Sequence, residues 1–280
     1  EQRVHGTAPK ALDTDGDGLS DRREIDGKTD PLVSDTDGDG ITDGLEVEQY
    51  GTDPRARDTD GDGFTDWEEV TLAETLPGAN PTRVDIFVEV DYMNAPGLTD
   101  AEISKLEETF GNAPVTNPDG SEGISLHIRM DETVPTESTV ALSADSHKES
   151  DIEEYADSYF TYKNQGYRYA LIAEEVTLNG KSVGGAAYVG EEAFLVHQYT
   201  WKEHVTGSTF MHELGHALGN RHWDLAMREG EALFDRVALL AFGSDVQPLA
   251  PLTELGTDRD ALHGSIDAIE VGATTTFEFQ

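Results

Sequence analysis

The 280-residue chain contains no cysteine, so no disulfide staples any part of it. It is also poor in basic residues. Lys and Arg number 19, of which seven are lysines, against 57 Asp and Glu, for a formal charge of −38. A surplus of that size makes nucleic acid and anionic membrane surfaces poor partners. No run of eighteen apolar residues occurs, which excludes a membrane-spanning helix read from sequence. The chain opens at Glu1 without an initiator methionine or a signal sequence, as expected of a removed leader or of a start at a mature end. Apolar content of 36% is enough for a core in one large domain, or in a medium domain with an appendage.

What the chain does have, after a tail without periodicity at 1–12, is an internal repeat. Asp13-Thr14-Asp15-Gly16-Asp17-Gly18-Leu19-Ser20-Asp21 returns at Asp35–Asp43 and at Asp58–Asp66. Thr29-Asp30-Pro31 and Thr52-Asp53-Pro54 precede the second and third copies, and Asn80-Pro81 closes the array. Counting from each first Asp, carboxylates stand at positions 1, 3, 5, 9 and 12. They are Asp13, Asp15, Asp17, Asp21 and Glu24; Asp35, Asp37, Asp39, Asp43 and Glu46; and Asp58, Asp60, Asp62, Asp66 and Glu69. Alternate positions of a tight loop converge, and Gly18, Gly40 and Gly63 at position 6 permit the turn. Converging carboxylates repel one another unless a hard divalent cation sits among them, and several calcium ions are the natural occupants.

An EF-hand keeps its apolar anchor at position 8, whereas Leu19, Ile41 and Phe64 stand at position 7. With that shift and with short repeats, residues 13–82 resemble thrombospondin type 3 repeats. So small an apolar content predicts that metal binding supplies most of the folding free energy of this module.

Calcium loops do not account for the whole charge. Residues 83–280 hold 35 acidic against 12 basic residues, still −23. A lysine-poor acidic surface stays hydrated where salt screens repulsion, so the chain reads as a halophile protein, with an ordinary acidic secreted protein as the alternative.

From Arg83 the pattern becomes globular. Val84, Ile86, Val88 and Val90 alternate with Asp85, Phe87, Glu89 and Asp91, which predicts a strand packed on one face. Thr99 and Glu102 form a capping box for a helix to about Phe110. A second strand is expected over 124–130, a loop over 132–148, a helix over 151–164, and a short buried strand over 169–173. Residues 184–189 and 193–196 come next. Residues 228–242 read as an amphipathic helix and 273–279 as a terminal strand.

The densest chemistry lies in Ser208–His222. Phe210, Met211, Leu214, Ala217 and Leu218 recur at helical spacing behind Ser208 as N-cap. His212 and His216, four apart, share one face of that helix, with Glu213 beside them. Gly219 can end the helix and turn the chain back, so that His222 approaches the same ion. Three neutral imidazoles leave a fourth tetrahedral position for water, the arrangement of a catalytic zinc. His127, His147, His197, His204 and His263 read as surface or core histidines.

His-Glu-x-x-His-x-x-Gly-x-x-His at 212–222 resembles the long zinc motif of the metzincin metalloproteases. The resemblance implies an α+β catalytic domain over 83–280: a twisted mixed sheet, an active-site helix and a small C-terminal subdomain, behind the irregular calcium-loop module. It implies one zinc on His212, His216 and His222, and Glu213 as general base and acid. It also implies an edge strand for extended substrate at 184–189 (Gly185, Ala186, Ala187 and Tyr188) or at 193–197, with Met227 as the candidate for the methionine turn. The cysteine switch of some metzincins is excluded here, because the chain has no cysteine. The expected function is that of a secreted or cell-surface zinc endopeptidase acting on proteins or peptides. The alternative is a calcium-dependent surface- or matrix-binding protein whose zincin domain is inactive or processes only itself.

Overall fold

The computed structural model describes residues 6–7, 10–93, 97–142, 151–188, 191–199 and 205–229, with 151, 205 and 219–229 as backbone alone. The expected helix at 228–242, beyond Glu229, and the expected strand at 273–279 lie outside the described residues, as does the small C-terminal subdomain.

Each repeat is a loop followed by a short helix: α1 (Asp21–Gly27), α2 (Asp43–Leu45, continuing as a π-helical turn over Glu46–Tyr50) and α3 (Asp66–Thr71). The loops are built alike. Asp13 accepts from the amides of Gly16 and Gly18, Asp35 from Gly38 and Gly40, and Asp58 from Gly61 and Gly63. The glycine at position 6 has φ of 100°, 116° and 105° in the three copies, a conformation that a side chain disfavours. Leu19, Ile41 and Phe64 are buried.

The remainder is built on a five-stranded sheet in the order β2-β1-β4-β8-β7. These strands are β1 (Asp85–Tyr92), β2 (Ser125–Thr133), β4 (Arg168–Ala173), β7 (Gly185–Ala187) and β8 (Ala193–His197). The first four in that order run parallel and β7 runs antiparallel to β8, so the sheet is mixed and β7 forms its edge. A second sheet joins β3 (Val140–Leu142), β5 (Val176–Leu178) and β6 (Lys181–Val183). Three helices complete the elements: α4 (Asp100–Gly111), α5 (Asp151–Tyr159) and α6 (Val205–Glu229).

Strand β1 departs from the expected one-faced strand, because both faces are covered and seven of its eight residues are buried. Val88 and Val90 pack with Leu106 and Phe110 of α4 and with Phe210 and Leu214 of α6. Phe87 packs on the opposite side with Tyr155 of α5, Tyr167 and Tyr169. The buried acids on that side are held by donors. Glu89 accepts from the amides of Thr161 and Tyr162, and Asp91 from the amide of Glu132 and the hydroxyl of Tyr169. Burial pushes Glu89 up to about 7 and Asp91 up to about 6, against these lowering hydrogen bonds.

The third repeat is packed into this second core. Phe64 meets the Phe87 ring edge-on at 5.5 Å between centroids, and the Tyr167 hydroxyl donates to the Thr75 carbonyl. Strand β3 falls where a loop was expected. The β5–β6 hairpin was not anticipated either, although its Asn179-Gly180 turn carries positive φ at both residues, the standard chemistry of a two-residue hairpin.

Candidate metal centre and carboxylate clusters

The capping box expected for α4 is present, and it does a second task at the candidate centre. Glu102 Oε2 accepts from the Thr99 amide and hydroxyl, while Oε1 accepts from the Gly207 amide at 3.0 Å. One carboxylate thus ties the start of α4 to the first turn of α6. Helix α6 consequently begins at Val205 instead of after Ser208, and the Thr206 hydroxyl accepts from the Tyr199 amide. Phe210, Leu214, Ala217 and Leu218 are buried against the sheet as their spacing predicts.

On the face away from that stripe, Nε2 of His212 and Nε2 of His216 lie 3.0 Å apart, with the rings crossed at 79°. Two nitrogens bound to one tetrahedral zinc at its usual distances are about 3.3 Å apart, so this pair fits a shared ion. Burial holds the His216 imidazole below its ordinary value, which keeps it in the neutral form that ligates. Glu213 is 6% exposed and lies against the edge strand. A Cβ on Gly185 would fall 2.6–2.8 Å from Cγ, Oε1 and Cδ of Glu213. Gly185, Ala186 and Ala187 therefore sit at the sheet edge beside the candidate base, with Tyr188 just after the strand. Strand β8 is interior, which removes 193–197 as the edge.

The break expected at Gly219 is absent, since α6 runs on through Glu229. An interior glycine costs a helix only about 1 kcal/mol relative to alanine, and Ala217, Leu218 and Arg221 around it are good helix formers. Met227 accordingly lies on helical backbone and not in a turn. The side chains of His222 and Met227 lie outside the described residues. His127 is a half-buried, partnered group, stacked on Phe87 and hydrogen-bonded through Nε2 to Asp85.

In the repeats, the structure regroups the fifteen carboxylates. Positions 1, 3 and 5 come together as expected: Asp13 with Asp15 and Asp17, Asp35 with Asp37 and Asp39, and Asp58 with Asp60 and Asp62. Position 9 turns back within its own loop, and position 12 of the first and third repeats meets the position-5 aspartate while reaching beyond the loop. Asp21, Asp43 and Asp66 each open a helix and accept from the amide and hydroxyl of the threonine at position 2 of their own loop. Glu24 instead gathers with Asp17 and with Asp43 of the next repeat. Glu46 is pushed up to about 8 by burial, with Asp37, Asp39 and Asp66 among the charges acting on it, so it faces the next repeat in the same way. Each helix start carries its aspartate back to the threonine of its own loop.

Comparison with known families follows these two halves. Residues 13–34, 35–54 and 58–75 match the bacterial TSP3 repeat, and residues 115–223 match the reprolysin-like metallopeptidases of family M12B. The chain thus carries segments similar to bacterial TSP3 repeats ahead of one similar to reprolysin-like metallopeptidases. His212, Glu213 and His216 fall within the metallopeptidase-like segment. Among solved structures, it is similar to archaemetzincin from Methanopyrus kandleri at 12% identity. That match covers 49% of this chain and 74% of that one, with a TM-score of 0.32. Metalloproteinase-II from Bacteroides fragilis is similar at 13% identity over 49% of this chain and 43% of that one, with a TM-score of 0.34. No match is found among curated proteins. Among the described residues, no helix is long and apolar enough to cross a membrane.

Proposed function

We propose that the chain is a secreted, zinc-dependent endopeptidase adapted to high salt, with an N-terminal module stabilised by calcium. The observation that carries the peptidase reading is the pair of imidazole nitrogens 3.0 Å apart on α6, with Glu213 enclosed beside them at the open edge of the sheet. Zinc, when bound, supplies a Lewis acid for the scissile carbonyl and brings the acidity of water towards neutrality.

Everything else in the reaction falls to the chain. His212 and His216 hold the ion, and His222, the third histidine of the motif, is the proposed third ligand. Strand β7 receives the substrate backbone as an added antiparallel strand. A Glu213 carboxylate oxygen takes a proton from the attacking water and returns it to the departing amide nitrogen. Export is supported by calcium-type loops, which suit millimolar extracellular calcium. Adaptation to salt is supported by the net charge of −38 with seven lysines.

The reading is tested on purified chain with casein, in high salt with calcium and zinc. Cleavage abolished by a zinc chelator and restored by zinc supports it; no cleavage of casein or of a peptide library overturns it. A second expectation concerns Gly185. Gly185→Ala places a methyl in the space of the Glu213 carboxylate and should lower kcat by about 10- to 100-fold, the usual cost of misplacing a reacting group by an ångström. Zinc content, measured by metal analysis, should not change.

A further inference from the structure

The regrouped carboxylates leave the last repeat with an unanswered question. The position-12 glutamate of repeat 1 is met by position 9 of the repeat that follows, so repeat 3, which has no successor, should be left incomplete. It is not. Glu69 gathers with Asp62 and with Asp85, their oxygens all within 4.8 Å of one another, and Asp85 is the first residue of β1 in the peptidase domain. The join imitates a repeat-to-repeat join. Asp17 accepts from the Gly44 amide at 2.8 Å and Asp39 from the Trp67 amide, while Asp62 accepts from the Asp85 amide at 2.7 Å. Asp43 is steadied by Thr36, and Asp85 by the Asn80 amide at 2.8 Å and by Nε2 of His127 at 2.6 Å. Asn80 stands where the earlier copies carry Thr-Asp-Pro.

A second, independent observation is the state of the Glu69 carboxylate. Glu69 is 4% exposed, and neither of its carboxylate oxygens has a hydrogen-bond partner. Asp62 and Asp85, at 7% and 2%, are equally enclosed. A buried carboxylate without a donor is costly, and facing two more it is costlier still. Both oxygens of Glu24 in the first join are in the same state. Oxygens within 4.8 Å of each other can all lie at the 2.3–2.6 Å that calcium prefers.

We propose that Asp62, Glu69 and Asp85 bind a calcium ion whose third carboxylate comes from the peptidase domain, so that the ion clasps the repeat array to strand β1 of the catalytic sheet. This rests on the reading of the repeats as calcium loops and is independent of peptidase activity. In consequence, the last repeat and the start of β1 form one calcium-dependent unit, joined by the ion on one side and by the Phe64–Phe87 contact on the other.

The test uses the full-length chain, stripped with chelator and titrated with Ca2+. Calcium per chain is counted by native mass spectrometry, and Tm is measured with and without the ion. Glu69→Gln and Asp85→Asn are each expected to bind one calcium fewer than the parent and to show a smaller calcium-induced rise in Tm. Glu69→Gln should also equal or exceed the parent Tm in chelator, because the glutamate has no hydrogen bond to lose and the glutamine is neutral without taking up a proton. Asp85 also supports Asn80 and His127, so if Asp85→Asn does not fold, Glu69→Gln alone decides. An unchanged calcium count with an unchanged calcium-induced Tm rise in Glu69→Gln overturns the proposal. A calcium result as expected in a chain that cleaves nothing upholds the clasp and counts against the peptidase reading only.

Discussion

Glu213→Gln is expected to leave zinc bound and to reduce peptide hydrolysis by about 10²–10⁴-fold, the range that a positioned general base contributes. Glutamine matches glutamate in size, so it keeps the contact with Gly185 and the burial of that side chain, but it has no basic oxygen to receive a proton. Metal content should be unaffected, since the nitrogens proposed to hold the ion belong to His212 and His216 and not to Glu213. Two measurements are required together, zinc per chain and turnover of a peptide. Full zinc with lost turnover identifies Glu213 as the base. Turnover at the parental rate rules that role out. Loss of zinc with loss of turnover makes it a ligand or a structural support instead. His222→Ala complements the test. Loss of zinc from that variant places His222 on the ion and requires a chain that leaves the helix near Gly219, whereas full zinc content leaves His212 and His216 without this third partner.

The helical part of this site was legible because two periodicities coincide. The apolar stripe at 210, 214, 217 and 218 fixes which side of α6 is buried, and the spacing of 212 and 216 fixes that both imidazoles share one of the other faces. Strand β1 was legible as a strand but not as a doubly covered one. Asp85, Glu89 and Asp91 look like a solvent face when read alone. What makes them interior are hydrogen-bond partners far away in sequence: Asp62 and His127 around Asp85, Thr161 and Tyr162 at Glu89, and Tyr169 at Asp91. Local spacing carries no trace of such partners. The carboxylate regrouping was hidden for the same reason, since it depends on where the following repeat lies. The β5–β6 hairpin was different: its Asn-Gly signal stands in the sequence between Val176-Thr177-Leu178 and Lys181-Ser182-Val183, and a two-residue turn was there to be read.

Calcium removal should change the stability of the whole chain, and should reverse the sign of its pH dependence. In the metal-free protein, burial first and neighbouring carboxylates second push Glu24 up to about 7, Asp37 to about 6 and Glu46 to about 8. A group whose folded pKa is raised holds its proton in the native state over a range where the unfolded chain has released it. Its contribution is fully present below the ordinary carboxylate range and is lost as pH rises through the folded value. Between pH 5 and pH 8 the Tm of the stripped chain should therefore fall steadily. Calcium needs the same groups ionised, so protons compete with it and the calcium-loaded chain should gain stability over that interval. At a thousandfold excess over Kd each site adds about 4 kcal/mol, or about 10 °C in Tm for a chain of this size. Calorimetry at pH 5 and pH 8, with calcium or with chelator, checks both signs at once. Because Phe64 is shared with the peptidase core, loss of calcium should also lower the melting of the catalytic sheet, which far-ultraviolet dichroism on the intact chain will follow. A metal-free chain whose Tm rises from pH 5 to pH 8 would show that these carboxylates are not gathered as described. A calcium-independent Tm would remove the ion from the account of how the repeats stay folded.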